Sequence, residues 1–291
     1  MVVAIKALAC ELPHQHGLPL SRLSTSEIRR EAIQRGLVAS IGETTIWRWL
    51  TDDAIRPWHH RTWIFPRDPA FEDKASRILD LYEGIWEGKP LTDDDFIIST
   101  DEKTSIQARK RIHPSLAPAA NGVPMRVEHE YERKGAWAYL AAWDVRRAKI
   151  FGRCELTTGI KPFRRLVAQV MRQEPYRSAR RVFWIMDNGS SHRGQPCTKR
   201  LAAAWPNIVV VHTPVHASWL NQVEVYFSII QRKVLTPNDI PSLSQLRERL
   251  LAFQNHYEQV AKPFEWKFTR NKLKELLDKL KFLEAPLRKA A

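Results

Sequence analysis

The stretch RVFWIMDNGSSHRG, residues 181–194, constrains the fold more than any other part of the chain. Val182, Phe183, Trp184, Ile185 and Met186 form an unbroken apolar run rich in β-branched and aromatic side chains, the composition of a strand buried on both faces. In open α/β sheets such strands lead, at their carboxyl ends, into loops where ligands and catalytic groups gather. Asp187 stands at that position. By local chemistry alone, Asp187 and Asn188 equally suit the opening of a turn closed by Gly189, so the rest of the chain has to distinguish the two.

The flanking sequence repeats the pattern. After LTDDD, the run FIIST (96–100) leads into Asp101, so a second apolar strand is expected to end in an aspartate, with the acidic run 93–95 a solvated approach to it. AWAYLAAWDV (136–145) and AKIFGRCEL (148–156) read as a strand pair joined by a basic turn at Arg146 and Arg147, with Asp144 at a strand end in a structural or electrostatic role. A helix from Lys161 carries Phe163, Leu166, Val167, Val170 and Met171. The Asp187 strand, a helix through Leu201, the strand NIVVVHTP (207–214) and a helix containing Glu224 follow. This order predicts an α/β domain with a mixed five-stranded sheet flanked by helices.

Upstream, STSEIRREAIQRG (24–36) holds a capping box at Ser24 and Glu27, apolar Ile28, Ala32 and Ile33 at helical spacing, and Gly36 as a stop. SIGETTIWRWL (40–50) then places Thr44, Thr45, Trp47 and Arg48 at the start of a second short helix, the arrangement of a helix-turn-helix recognition helix. Thr44, Thr45 and Arg48 are therefore expected to contact DNA, as is Arg61 in the proline-rich connector AIRPWHHRTWIFPRDP (54–69). From Phe71 a helix is expected with Phe71, Ala75, Ile78, Tyr82 and Ile85 on its core face. The expected division is 1–66, a partial helix-turn-helix region and linker; 67–260, the α/β domain; and 261–291, a basic C-terminal tail helix.

Composition narrows the partner. Lysine and arginine number 46 against 32 aspartates and glutamates, a formal charge of +14 spread along the chain, which favours a polyanion and nucleic acid first. Cys10, Cys154 and Cys197 show no paired spacing, so reduced thiols in a cytoplasmic protein are expected. No apolar run approaches the roughly 20 residues of a membrane span, and MVVAIKALAC is too short for a signal peptide.

Three carboxylates thus stand at comparable places: Asp101, Asp187 and Glu224, separated by 85 and 36 residues. If the strands of Asp101 and Asp187 are neighbours, their ends converge, and a glutamate from a facing helix completes an oxygen-rich pocket suited to Mg²⁺ or Mn²⁺. Two such ions activate a water or a 3′-hydroxyl and stabilise the leaving oxygen of a phosphodiester. Strand alternation directs Glu102 away from Asp101. Trp219 and Leu220 are expected to anchor the Glu224 helix in the core.

STDEKTSIQARKR (99–111), VFWIMDNGSSHRG (182–194), HTPVHASWLNQVEVYFSIIQRK (212–233) and PFEWKFTRNKL (263–273) together resemble bacterial insertion-sequence transposases of the mariner superfamily. The resemblance implies an RNase H-like DDE catalytic domain in which Asp101, Asp187 and Glu224 are catalytic and hold two Mg²⁺ or Mn²⁺ ions. Asn188 and His192 match the pattern beside the second aspartate, and Asn221 and Gln222 the positions before the glutamate, as supporting or DNA-contacting residues. It further implies double-stranded DNA partners (terminal inverted repeats and target DNA), a homodimer assembled on DNA, and a nucleoid-associated bacterial protein without membrane attachment. Relatives carry a longer amino-terminal region with a further helix-turn-helix unit, so weak recognition of transposon ends is expected here. Two other readings share the motifs: a truncated, non-catalytic DNA-binding derivative acting as a repressor, and an RNase H-like nuclease of other substrate.

Overall fold

The computed structural model describes residues 1–60, 66–189 and 194–288, the last seven of these by backbone alone. It divides into two compact units, Met1–Ile64 and Phe65–Ala291.

The described residues of the first unit include three α-helices, α1 (Val2–Ala9), α2 (Thr25–Gln34) and α3 (Glu43–Asp52). Ser24 and Glu27 form the expected capping box, each accepting the other's backbone N–H. Past its C-terminus, Gly36 lies at φ +68°, and the N–H groups of Gly36 and Leu37 return to the carbonyls of Ile33 and Ala32, closing the helix in a Schellman motif. Ile5, Leu8, Leu23, Ile28, Ala32, Ile46 and Leu50 make the core, with Ile55 and Trp58 of the connector packed against it. Helix α1 was not expected from the sequence. Its apolar face is complete only when α2 and α3 lie against it.

In the second unit, α4 (Phe71–Tyr82) precedes a small hairpin of β1 (Ile85–Trp86) and β2 (Lys89–Pro90). The main sheet comprises β3 (Asp95–Lys110), β4 (Glu132–Asp144), β5 (Lys149–Glu155), β6 (Arg181–Met186) and β7 (Ile208–His212), in the order β5-β4-β3-β6-β7. β3, β6 and β7 run parallel; β4 and β5 are antiparallel to their neighbours, so the sheet is mixed as expected. Alternation sorts its side chains into two cores. One face carries Ile97, Tyr139, Ala141, Trp143, Phe183 and Ile185 and packs on α7 (Val223–Lys233) and α8 (Leu243–Glu258). The other carries Phe96, Ile98, Leu140, Ala142, Val182 and Trp184 and packs on α5 (Ile160–Met171) and α6 (Gly194–Ala204). Helix α9 (Arg270–Arg288) returns to α4, where Leu273 meets Phe71, Ala75 and Leu79, and Arg270 lies 3.1 Å from Asp80.

Three sequence expectations are corrected, the first being Ile85 on the face of the Phe71 helix: α4 ends at Tyr82 and Ile85 begins β1. Asp101 does not end its strand: β3 runs on for nine residues to Lys110, paired with β4, and what stops near Asp101 is the pairing with β6, whose last partner is Ser99. Likewise the 93–95 run is not wholly solvated. Asp95 is buried, because its register partner across β3 and β6 is Arg181, whose Nε and Nη2 each donate to its carboxylate at 2.9 Å.

Candidate active site

The sheet register brings two of the three acids together. Asp101 lies opposite Ala141 and follows Ile97 and Ser99 in alternation, so it belongs to the face covered by α7. Asp187 follows Phe183 and Ile185 by the same two-residue step, just past the end of β6, and reaches that face too. Glu102 pairs with Leu140, a member of the opposite core, so alternation separates it from Asp101 as expected.

Glu224 arrives on the first turn of α7, and a buried polar latch fixes where that helix starts. Asn221 is fully buried; its Oδ1 accepts from the Ser99 hydroxyl, and its Nδ2 donates to the carbonyl of Thr100 at 2.8 Å. The Val223 N–H donates to Ser99 Oγ at 2.8 Å. From α4, the Tyr82 hydroxyl donates to the Leu220 carbonyl at 2.7 Å. The start of α7 is therefore pinned to β3 two residues before Asp101, which sets the position of Glu224 relative to that aspartate. Ser99 and Tyr82 were missed by the sequence reading. Ser99 sits inside an apolar run and Tyr82 on a core helix face, and neither position advertises a hydrogen-bonding task.

The other sequence-derived residues fall as follows. Asn188 donates through Nδ2 to the Thr213 carbonyl at 2.6 Å, tying the loop after β6 to the end of β7. Gln222 is buried, with its Oε1 unpaired, and so presents no surface to DNA in this arrangement; the same holds for Asn221. Thr44 and Arg48 are exposed on α3 with Trp47, and Thr45 is half-buried. His192 and Arg61 lie outside the described residues. Asp144, fully buried, accepts from the Tyr176 hydroxyl and the N–H groups of Arg146 and Arg147. It pairs with Ile98, on the sheet face opposite that of Asp101, and these hydrogen bonds suit the structural or electrostatic role expected of it.

The charges of the three acids reach one another. Burial, and then the charge of Asp187, push the Asp101 carboxyl up to about 7, with smaller upward contributions from Glu224 and Glu102. Against this, the Glu102 N–H donates to Asp101 Oδ1 at 2.7 Å. Glu224 is also raised, first by burial, and Asp187 adds to this while Lys103 opposes it. Lys103 lies two residues beyond Asp101. Asp187 Oδ1 accepts the N–H of Gly189 at 2.8 Å, and a Cβ at position 189 would stand 2.9 Å from that oxygen, so any larger residue there would push the carboxylate aside.

Among the described residues no three His, Cys, Asp or Glu side chains close into a metal-sized cluster. Asp101, Asp187 and Glu224 nonetheless sense one another's charge just past the end of β6. Their donor set is all carboxylate oxygen, which fits a hard divalent cation, and a cation there relieves the repulsion that raises Asp101.

A family model described as DDE superfamily endonuclease matches residues 97–247. The chain belongs to that family. The matched stretch runs from the strand of Asp101 through the helix of Glu224, and the mixed sheet flanked by helices is its RNase H-like core. Among solved structures, the Mos1 mariner paired end complex with Mn is similar at a TM-score of 0.52 and 12% identity, over 94% of this chain and 75% of that one. A pre-cleavage Mos1 transpososome aligns at 0.49 and 12% identity, over 91% of this chain and 79% of that one. This DDE endonuclease shares a fold with the first of these. No curated protein sequence matches it. No helix among its described residues is long and apolar enough to cross a membrane.

Proposed function

We propose that this DDE endonuclease is a transposase of the mariner kind, cleaving DNA at transposon ends and joining the freed 3′ ends to target DNA. Asp101, Asp187 and Glu224 are its catalytic carboxylates and hold the divalent cation, Mg²⁺ or Mn²⁺, that the family's chemistry implies. The observation that carries this reading is the convergence of the three acids, from β3, β6 and α7, on one face of the sheet, where burial and mutual repulsion push Asp101 up to about 7. When bound, such cations activate an attacking water or 3′-hydroxyl and stabilise the leaving oxygen.

The chain's own residues supply position. The Ser99–Asn221 latch holds Glu224 over the strand that carries Asp101. The Gly189 N–H orients the Asp187 carboxylate. Lys103, the cation beside Glu224, is placed to meet a phosphate drawn towards the acids. In the amino-terminal unit, the exposed Thr44, Trp47 and Arg48 lie at i, i+3 and i+4 on α3, one face offered to a DNA groove. The mariner complex of similar fold is named a paired end complex, which supports assembly on paired DNA ends, with a homodimer the simplest such assembly.

The test is Mg²⁺-dependent nicking of duplexes carrying the element's terminal repeats, with an RNA–DNA hybrid alongside. Cleavage of the repeats but not the hybrid is expected. Preferential hydrolysis of the hybrid overturns the reading in favour of a ribonuclease, and tight repeat binding without cleavage at any divalent cation overturns it in favour of a repressor.

A further inference from the structure

The face of the sheet opposite the acids carries a second charged surface that the proposed chemistry does not use. Helix α5 and its C-cap residue present Lys161, Arg164, Arg165 and Arg172, and the adjoining α6 presents Lys199 and Arg200, all six exposed. No aspartate or glutamate occurs in residues 157–172 or 194–204. Glu155, at the end of β5, is engaged by Arg165 at 2.6 Å and by Arg153 at 3.1 Å, which leaves the surface strongly positive. Lys161, Arg164, Arg172 and Lys199 make no ion pair among the described residues.

The shape of this surface matches its charge. Two shallow hollows, of about 650 and 330 Å³, meet at Arg164, the larger reaching Arg153, Arg172 and Trp205, the smaller Arg200 and Leu201. From Lys161 to Arg172 the helix advances about 16 Å at 1.5 Å per residue. Duplex DNA carries one negative charge per about 1.7 Å of axis, so a duplex laid along α5 brings on the order of three to five phosphates within reach of these side chains. The helices themselves are rigidly seated: Phe163, Leu166, Val167, Val170 and Met171 of α5 and Cys197 and Leu201 of α6 are buried in the core of that face. The cations thus stand on a fixed platform.

We propose that the α5–α6 surface binds the sugar-phosphate backbone of duplex DNA, giving the chain a second duplex site, on the sheet face opposite Asp101, Asp187 and Glu224. This rests on the reading of the chain as a DNA-acting transposase, in that the second duplex is one it holds without cutting. Contacts of this kind are to phosphate alone and read no sequence.

The experiment measures equilibrium binding of a random-sequence duplex across a salt series, with EDTA present so that metal-dependent events at the acids play no part. Three chains are compared: wild type; Lys161→Ala/Arg164→Ala/Arg172→Ala; and a control with the same charge loss from cations that sit beside acids elsewhere, Lys134→Ala/Lys267→Ala/Lys281→Ala. The expected result is a slope of log K on log salt shallower by about 2–3 in the first triple only, with binding weakened at least tenfold at 0.15 M salt. A Lys161→Arg/Arg164→Lys/Arg172→Lys chain should keep the wild-type slope, and unchanged denaturation midpoints would show that the fold is intact. Equal slopes in all chains, equal losses in both alanine triples, or a first triple that loses binding to anionic lipid vesicles but not to duplex would each overturn the proposal. Failure of the transposase reading shows separately, as a wild-type chain that does not cleave with Mg²⁺.

Discussion

Strands β3 and β6 carry a buried or half-buried carboxylate near each end of their shared run, and the two ends behave oppositely. At the amino end, Asp95 faces the Arg181 guanidinium, which holds its carboxyl down at about 2 despite burial. Six residues along the same strand, burial and the charges of Asp187, Glu224 and Glu102 drive Asp101 up to about 7. The difference lies in the neighbours. A buried acid whose partner is a cation fastens two strands together, whereas buried acids facing acids cost stability, and such arrangements mark functional sites.

The largest effect that bears on this contrast is on cleavage. Asp187→Asn should lower it by at least about 10³-fold while duplex affinity stays level or rises, since a negative charge facing phosphate is removed. Asp101→Asn and Glu224→Gln should do the same and Glu102→Gln should not; an inactive Glu102→Gln beside an active Asp101→Asn would exchange their roles. Next in size, Asn221→Ala takes the acceptor from the Ser99 hydroxyl proton and the donor from the Thr100 carbonyl and should destabilise the chain by about 2–4 kcal/mol in urea titration, with slower cleavage. A neutral Asn221→Ala would show that the latch does not position α7.

Asp95→Asn should cost about 2 kcal/mol yet leave cleavage per folded molecule unchanged. Because the folded-state value is depressed below the ordinary 3.8, this contribution is present above about pH 4 and is lost as the pH falls towards 2. The stability gap between wild type and Asp95→Asn should therefore close over that window in acid denaturation. A gap that widened there would contradict the ion pair. The smallest effect belongs to Gly189→Ala. Its Cβ, 2.9 Å from Asp187 Oδ1, should displace that carboxylate and slow cleavage about tenfold, with stability changed by less than about 1 kcal/mol. An equal loss in stability would mean that the loop, not the carboxylate, had given way.

How much of this was legible beforehand depended on how far apart the interacting residues lie in sequence. Local patterns were readable. The capping box at Ser24 and Glu27, the apolar run ending at Asp187 and the helical spacing from Phe163 to Met171 each depend on residues within a few positions of one another. Alternation also separated Asp101 from Glu102 correctly. The length of β3 was not readable, because residues 101–110 carry only two apolar side chains, Ile106 and Ala108, among polar and charged ones and are held extended by pairing with β4. Asp95 was misjudged for the same reason: its partner is 86 residues away, and nothing near 95 announces an arginine.

By itself, then, the sequence determined the elements that repeat every two or nearly four residues and the three carboxylates that stand beside them, since side-chain periodicity is a local property of the backbone. Only the tertiary structure decided that β3 lies between β4 and β6, that Ser99 and Asn221 clasp across 122 residues, and that an acid at 95 is neutralised while one at 101 is not. Charge and burial at a site are sums over whatever the fold brings near, and chain order does not record those neighbours.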